Sequence, residues 1–272
     1  MVYTYLNMTD ILKRNNVKVF GTGGQTILFA HGFGGDQTAW RYVYNAFTEN
    51  YRVILFDYVG SGNSEHSAYR PELYSSLKGF SQDVLDICKA LQLQQVIYVG
   101  HSVSSMIGML AAVEEPSYFK KMVFLGPSAR YLNDGDYIGG LEKSDLDALF
   151  EMLDSNYLGW SRMMAPAIMG EKNPTEKQEE LVDSFCAADP AISQNFARVT
   201  LLSDHRASLP ALKVPSLIVQ CMDDVMAPET AGQYVHKHTP GSTYLELHTS
   251  GHCPHLSAPQ EVVKVIRDYV LN

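Results

Sequence analysis

The chain of 272 residues is predicted to fold as an α/β protein: a mainly parallel sheet, helices on both of its faces, and a helical insertion before the last two strands. Three observations predict this. Short β-branched runs alternate with longer stretches of helical periodicity, as repeated strand-helix units do. The strand-like runs are almost continuously apolar, as strands covered on both faces must be. The alternation then stops between 131 and 209, where only helical periodicity is found.

The first two strands are expected at 26–30 and 52–56, both dominated by β-branched and aromatic residues. A helix follows at 77–91, where Leu77, Phe80, Val84, Ile87, Cys88 and Leu91 recur at spacings of three and four with Lys and Asp opposite. A third strand at 96–99 runs through a very short turn into an amphipathic helix, and a fourth is expected at 122–125. Within the insertion, 143–158, 175–187 and 191–203 read as helices. The sheet resumes after Val214-Pro215 at 216–220, Pro228 is expected at the first position of the next helix, and a strand at 243–247 precedes a terminal helix from about Pro259. There Val262, Ile266, Tyr269 and Val270 repeat the core-facing stripe. The expected division is a core of 1–130 and 210–272 with a lid of 131–209.

Composition narrows the function classes. Lys plus Arg minus Asp plus Glu is 21 − 30 = −9, with both signs scattered, which argues against nucleic acid as a partner. Apolar residues at 46% and charged residues at 19% place the chain among packed globular proteins rather than disordered or fibrous ones. Cys88, Cys186, Cys221 and Cys253 lie far apart without a C-x-x-C pair, which fits reduced thiols and neither a zinc site nor a disulfide framework. The segment 1–16 lacks the apolar core of a secretory signal, and nowhere do 18 apolar residues run together. A cytoplasmic protein with no membrane association, no metal and no cofactor is expected.

The chemistry is expected at the turn Gly100-His101-Ser102-Val103-Ser104. A buried strand entering a helix through so tight a turn raises Ser102 on a strained apex, which needs small neighbours on either side. The usual G-x-S-x-G ends here in Ser104, which adds a Cβ and a hydroxyl. A serine hydroxyl is a weak nucleophile, so an imidazole must take its proton and a carboxylate must orient the imidazole. Both are expected after later strands, in the order Ser, acid, His. Asp223 and Asp224 compete for the acid role, with Asp224 favoured by its distance from Pro228; His252 is favoured over His255 because Gly251 permits a tight turn. Two backbone N–H donors must face the developing oxyanion. Val103 follows the nucleophile, and Phe33 lies in the glycine loop His31-Gly32-Phe33-Gly34-Gly35-Asp36. His31, His66, His236 and His238 read as surface or packing residues, and Asp204-His205-Arg206 as a salt bridge at the exit of the insertion.

With these residues in place, the sequence resembles the α/β-hydrolase superfamily over nearly its whole length. The loop His31 to Gln37, the elbow, the run Tyr131-Leu132-Asn133-Asp134 with Gly139-Gly140, and Gly251-His252-Cys253-Pro254-His255 look like one branch of it. That branch holds the bacterial stress-signalling hydrolases of the RsbQ type and the plant strigolactone and karrikin receptors. The resemblance implies an α/β-hydrolase fold with a four-helix lid over a buried apolar pocket, a triad on Ser102, Asp224 and His252, oxyanion donors at Phe33 and Val103, and a signalling protein as a partner. Tyr131, Trp160, Met163, Met164, Ile168 and Phe196 are expected on the lid's inner surface, and His101 joins the pocket.

Two function classes follow. One is a serine esterase or lactonase acting on small apolar esters or lactones through an acyl-enzyme. The other is a signalling protein in which capture or slow hydrolysis of a small lactone moves the lid and alters a partner-binding surface. Halide or epoxide chemistry on this fold normally uses an Asp nucleophile, which Ser102 argues against.

Overall fold

A computed structural model describes residues 8–271. Residues 1–7 of the 1–16 segment read for a secretory signal lie outside them. The chain opens with α1 (Met8–Arg14), β1 (Lys18–Phe20), β2 (Gln25–Ala30) and β3 (Tyr51–Leu55), followed by α2 (Leu77–Ala90), β4 (Val96–His101), α3 (Val103–Glu114) and β5 (Phe119–Leu125). Four helices come next: α4 (Lys143–Ser155), α5 (Tyr157–Met169), α6 (Thr175–Ala187) and α7 (Pro190–Leu201). The sheet then resumes with β6 (Ser216–Met222), α8 (Glu229–His238), β7 (Thr243–Ser250), the short α9 (Pro254–Ser257) and α10 (Pro259–Leu271).

The strands form one sheet in the order β1-β3-β2-β4-β5-β6-β7. Every pairing is parallel except that of β1 with β3, so helices must return the chain across the sheet faces. Alternate residues divide between two cores, as the period of two requires. Leu28, Ile54, Tyr98 and Phe124 face the layer of α2 and α3, while Phe29, Val53, Val99 and Val219 face Trp40, Phe47, Val262 and Ile266. β4 lies at the centre of the sheet and is buried along its whole length, so its C-terminal end is held by strands on both sides.

Two expectations need correction, and some elements carried too little pattern to be predicted. β1 was not foreseen, because three residues of an exposed edge strand carry too little pattern. The helix expected over 143–158 ends at Ser155, since Asn156 leaves helical geometry and its side chain accepts from the Gly159 N–H to start α5. Pro228 caps α8 from outside rather than occupying its first position. α5 is the fourth helix that the resemblance implied and periodicity had missed, because it is apolar nearly all round and contains Pro166.

Candidate active site

Ser102 stands between β4 and α3 with φ 57° and ψ −125°, a conformation that costs a non-glycine residue about 1–3 kcal/mol. Its N–H donates to the Leu125 carbonyl at 2.7 Å, tying the turn to the neighbouring strand. The small neighbours are needed: a Cβ on Gly100 would sit 2.7 Å from the Ser104 carbonyl oxygen. Ser104 is fully buried, and its hydroxyl donates to the His31 carbonyl while accepting from Tyr58 Oη at 2.9 Å. The residue that departs from the usual motif therefore ties the elbow to the glycine loop.

The structure brings Ser102, His252 and Asp224 together in one chain of hydrogen bonds. His252 Nε2 lies 2.6 Å from Ser102 Oγ, and His252 Nδ1 lies 2.7 Å from Asp224 Oδ2. Asp224 Oδ1 accepts from the N–H groups of Met226 and Ala227, both at 2.9 Å, and the side chain is fully shielded from solvent. Both carboxylate oxygens are thus committed. Asp223, the rival for the acid role, points outward to Lys172 at 2.5 Å.

The imidazole is fixed through its backbone. The His252 N–H donates to the Ile168 carbonyl at 2.8 Å, and His101 Nε2 donates to the His252 carbonyl at 2.7 Å. Gly251, at φ 90°, passes so close to α5 that a Cβ would lie 1.9 Å from the Met169 carbonyl oxygen. Gly126 clears space on the other side, where a Cβ would lie 3.2 Å from the His252 ring. The His101 and His255 rings pack at a tilt of 51°, with 4.3 Å between ring centroids. Burial, reinforced by the other histidines around it, holds the pKa of His101 well below its usual value. Burial likewise, with the His252 and Arg41 charges adding to it, pushes that of His255 down to about 3. His101 is therefore neutral with its proton on Nε2, the tautomer its carbonyl partner requires.

The glycine loop approaches the serine closely, since a Cβ on Gly32 would lie 3.4 Å from Ser102 Cβ. Val103 is the first residue of α3, so its N–H has no acceptor within the helix. No hydrogen bond of the Phe33 N–H occurs among the described residues. His31, read as a bland packing residue, is buried and organises this loop: its Nε2 accepts from the Tyr58 N–H at 3.2 Å, which leaves Nδ1 to donate to the Gly32 carbonyl at 2.9 Å.

Ser102 and His252 open onto a cavity of about 350 Å³ between the sheet's C-terminal edge and the four helices of the insertion. Its size suits a small ligand. His101, Tyr131, Trp160, Met164 and Ile168 line it as expected. The Tyr131 hydroxyl lies against Ser102, whose interaction partly offsets the burial that pushes the phenol pKa up, yet it completes no hydrogen bond among the described residues. Two expected lining residues do not belong. Met163 is 47% exposed, because Trp160, Met164 and Ile168 at spacings of four take the inner face of α5 and turn it outward. Phe196 stacks on Phe80 at 4.2 Å and supports Phe33 from behind. Missed in the sequence were Arg41, Glu180 and Phe185 on the cavity wall, for which only the Leu181 and Phe185 spacing gave a signal. At the exit of the insertion Asp204 bridges Arg130 and Arg206, both within 2.8 Å, the salt bridge expected there. No helix among the described residues is long and apolar enough to cross a membrane.

Comparison with known proteins agrees with this fold. The model of the alpha/beta hydrolase family matches residues 27–265. The chain is 38% identical to the karrikin insensitive 2 receptor CA of Petunia hybrida, over 97% of this chain and 98% of that one. It is 37% identical to the strigolactone esterase D14 of Arabidopsis thaliana, over 96% and 98%. The structure of a hydrolase from Oleispira antarctica superposes with a TM-score of 0.96 at 37% identity, covering 98% of each chain. The chain belongs to the α/β hydrolase family, on the branch that holds the strigolactone and karrikin receptors.

Proposed function

We propose that the protein is a serine hydrolase of small apolar carboxylic esters or lactones. The observation that carries this reading is the hydrogen-bonded chain from Asp224 through His252 to Ser102, opening on a cavity beneath the inserted helices. Ser102 Oγ attacks the carbonyl carbon as His252 Nε2 takes its proton, and Asp224 holds the imidazole in the tautomer that can do so and stabilises the imidazolium. The N–H groups of Phe33 and Val103 receive the oxyanion. His252 then returns the proton to the leaving alkoxide; with a lactone, that alkoxide stays attached to the acyl chain. Water, deprotonated by the same imidazole, releases the acyl group and restores the serine. Residues 131–209 act as the lid, limiting water at the cavity where these charges develop. Four unpaired cysteines support a reducing, cytoplasmic setting.

Replacing Ser102 by Ala tests the reading. Hydrolysis of p-nitrophenyl acetate should fall to the small residue supplied by the oxyanion donors, about 10³-fold or more below the parent, with folding intact. Parent-like turnover in that variant would remove Ser102 from the mechanism.

A second reading is favoured by the relatives, two of which are named as a karrikin receptor and a strigolactone esterase. In it, a small butenolide reacts at Ser102, loosens the helical layer and exposes a surface for a signalling partner. A butenolide that lowers the melting temperature, with hydrogen exchange rising between 143 and 203, supports sensing. One that only raises the melting temperature, as mass action on the folded state requires, supports plain hydrolysis.

A further inference from the structure

We propose that Ser184 of α6 is a positioning residue for the oxyanion loop, so that the loop stabilises the tetrahedral intermediate only while the helical layer is seated on it. This rests on the serine-hydrolase reading above and adds to it a residue from the opposite side of the cavity.

The loop from His31 to Asp36 is anchored to the core at both ends. At one end the His31 carbonyl accepts the Ser104 hydroxyl and His31 Nε2 accepts the Tyr58 N–H. At the other, Asp36 Oδ1 accepts the Thr38 N–H at 2.7 Å, and the Gln37 N–H donates to buried Asp57 at 2.8 Å. The tip between them is Phe33-Gly34-Gly35, with Gly34 at φ 71°. Two consecutive glycines leave their peptide planes free to rotate unless something outside the loop holds them. The Gly35 N–H to Gly32 carbonyl bond, at 3.3 Å, is internal to the loop and moves with it.

Among the described residues, the hydrogen bond that reaches this tip from another element comes from the helical layer: Ser184 Oγ donates to the Gly34 carbonyl at 2.9 Å. Apolar contacts reinforce it from the same side. The Phe185 ring lies against Gly34, where a Cβ would meet it at 2.4 Å, and Phe33 packs edge-on against Phe185 at 5.6 Å. One turn earlier on α6, Glu180 accepts from Tyr42 at 2.9 Å and pairs with Arg41, just beyond the loop. Glu180 and Ser184, four residues apart, form one face of α6 turned toward the loop and the segment after it. The Gly34 carbonyl fixes the plane of the peptide that follows the Phe33-Gly34 pair. The direction of the Phe33 N–H depends on the same short stretch of backbone, and an oxyanion donor works only when aimed at the oxyanion's position.

Full loss of an oxyanion donor costs about 10² to 10³ in kcat, so a donor that is loosened rather than removed should cost about tenfold. The experiment compares the parent protein, Ser184→Ala and Ser184→Thr with p-nitrophenyl acetate as substrate and phenylboronic acid as inhibitor. Boron accepts the Ser102 oxygen as the proton passes to His252, giving a tetrahedral anion that uses the oxyanion donors without turnover. Ser184→Ala should lower kcat about tenfold with KM within about twofold, and weaken phenylboronic acid by about the same factor as kcat. Ser184→Thr, which keeps the hydroxyl, should recover both. A merely structural serine would not link turnover to boronate affinity in this way. Unchanged kcat in Ser184→Ala, a fall in kcat with boronate affinity unchanged, or a Thr variant as impaired as the Ala variant each overturn the proposal. Absence of turnover in the parent, or turnover that survives Ser102→Ala, would instead overturn the hydrolase reading on which it stands.

Discussion

Replacing Asp224 by Asn tests the electrostatic logic of the site while changing almost none of its shape. Asp224 Oδ1 is held by two backbone donors, the Met226 and Ala227 N–H groups at 2.9 Å, so in the variant the amide oxygen must stay there. An amide turned the other way would set its NH2 against two N–H groups. The NH2 therefore faces His252 Nδ1, which the carboxylate now approaches to 2.7 Å. Nδ1 must then accept, the ring proton moves to Nε2, and Nε2 can no longer take the proton of Ser102. The geometry survives and the base is lost, which in a triad of this type lowers kcat about 10⁴-fold, or about 5.4 kcal/mol of barrier. Initial rates with p-nitrophenyl acetate measure the loss, and the melting temperature shows whether the fold is kept. Asp223→Asn, which touches the exposed contacts with Lys172 and Ser250, should stay within about twofold of the parent. Comparable losses in the two variants, or an Asp224→Asn variant within tenfold of the parent, would refute the reasoning.

Two further outcomes are expected. Gly251→Ala places a Cβ 1.9 Å from the Met169 carbonyl oxygen at a φ of 90°; it should cost about 3 kcal/mol and lower Tm by about 6 to 12 °C, and calorimetry showing an unchanged Tm would rule this out. His101 and His255 are neutral in the folded protein, with pKa values below the ordinary 6.5 and, for His255, about 3. Below 6.5 the unfolded chain binds more protons than the folded one, so stability is full above that pH and lost as pH falls toward 3. At pH 5 the loss from His255 should be about 2 kcal/mol, with His101 acting in the same direction, read from urea unfolding at pH 7.5 and 5, and His255→Gln should flatten the profile. A parent profile already flat across this range would contradict the assignment.

The sheet was legible because its central strands are buried on both faces and must be written in apolar runs. The positions of Ser102, Asp224 and His252 were legible because each follows a strand-like run, in a fixed order, with Gly100, Pro228 and Gly251 within four residues. The cavity wall was less so. α5 is apolar on nearly every side, so periodicity could not tell Met164, which faces inward, from Met163, which does not. Phe196 is an aromatic residue at a plausible spacing whose partner, Phe80, lies far away in sequence. His31 looked bland, and Ser104 only a departure from the usual motif, for a related reason: their roles depend on each other and on Tyr58, contacts set by strand pairing rather than by local pattern.

The hydrogen bond from the His252 N–H to the Ile168 carbonyl bears on how this architecture can be altered. It makes the inserted helices a poor unit for exchange. Substituting a cap from another scaffold over residues 143–201, however well its inner wall suited a new substrate, would have to place backbone carbonyls where those of Ile168 and Met169 now anchor the base and meet Gly251. Recombination of substrate range in this chain is therefore better attempted residue by residue on the inner faces of α5 and α6, with the last turn of α5 retained.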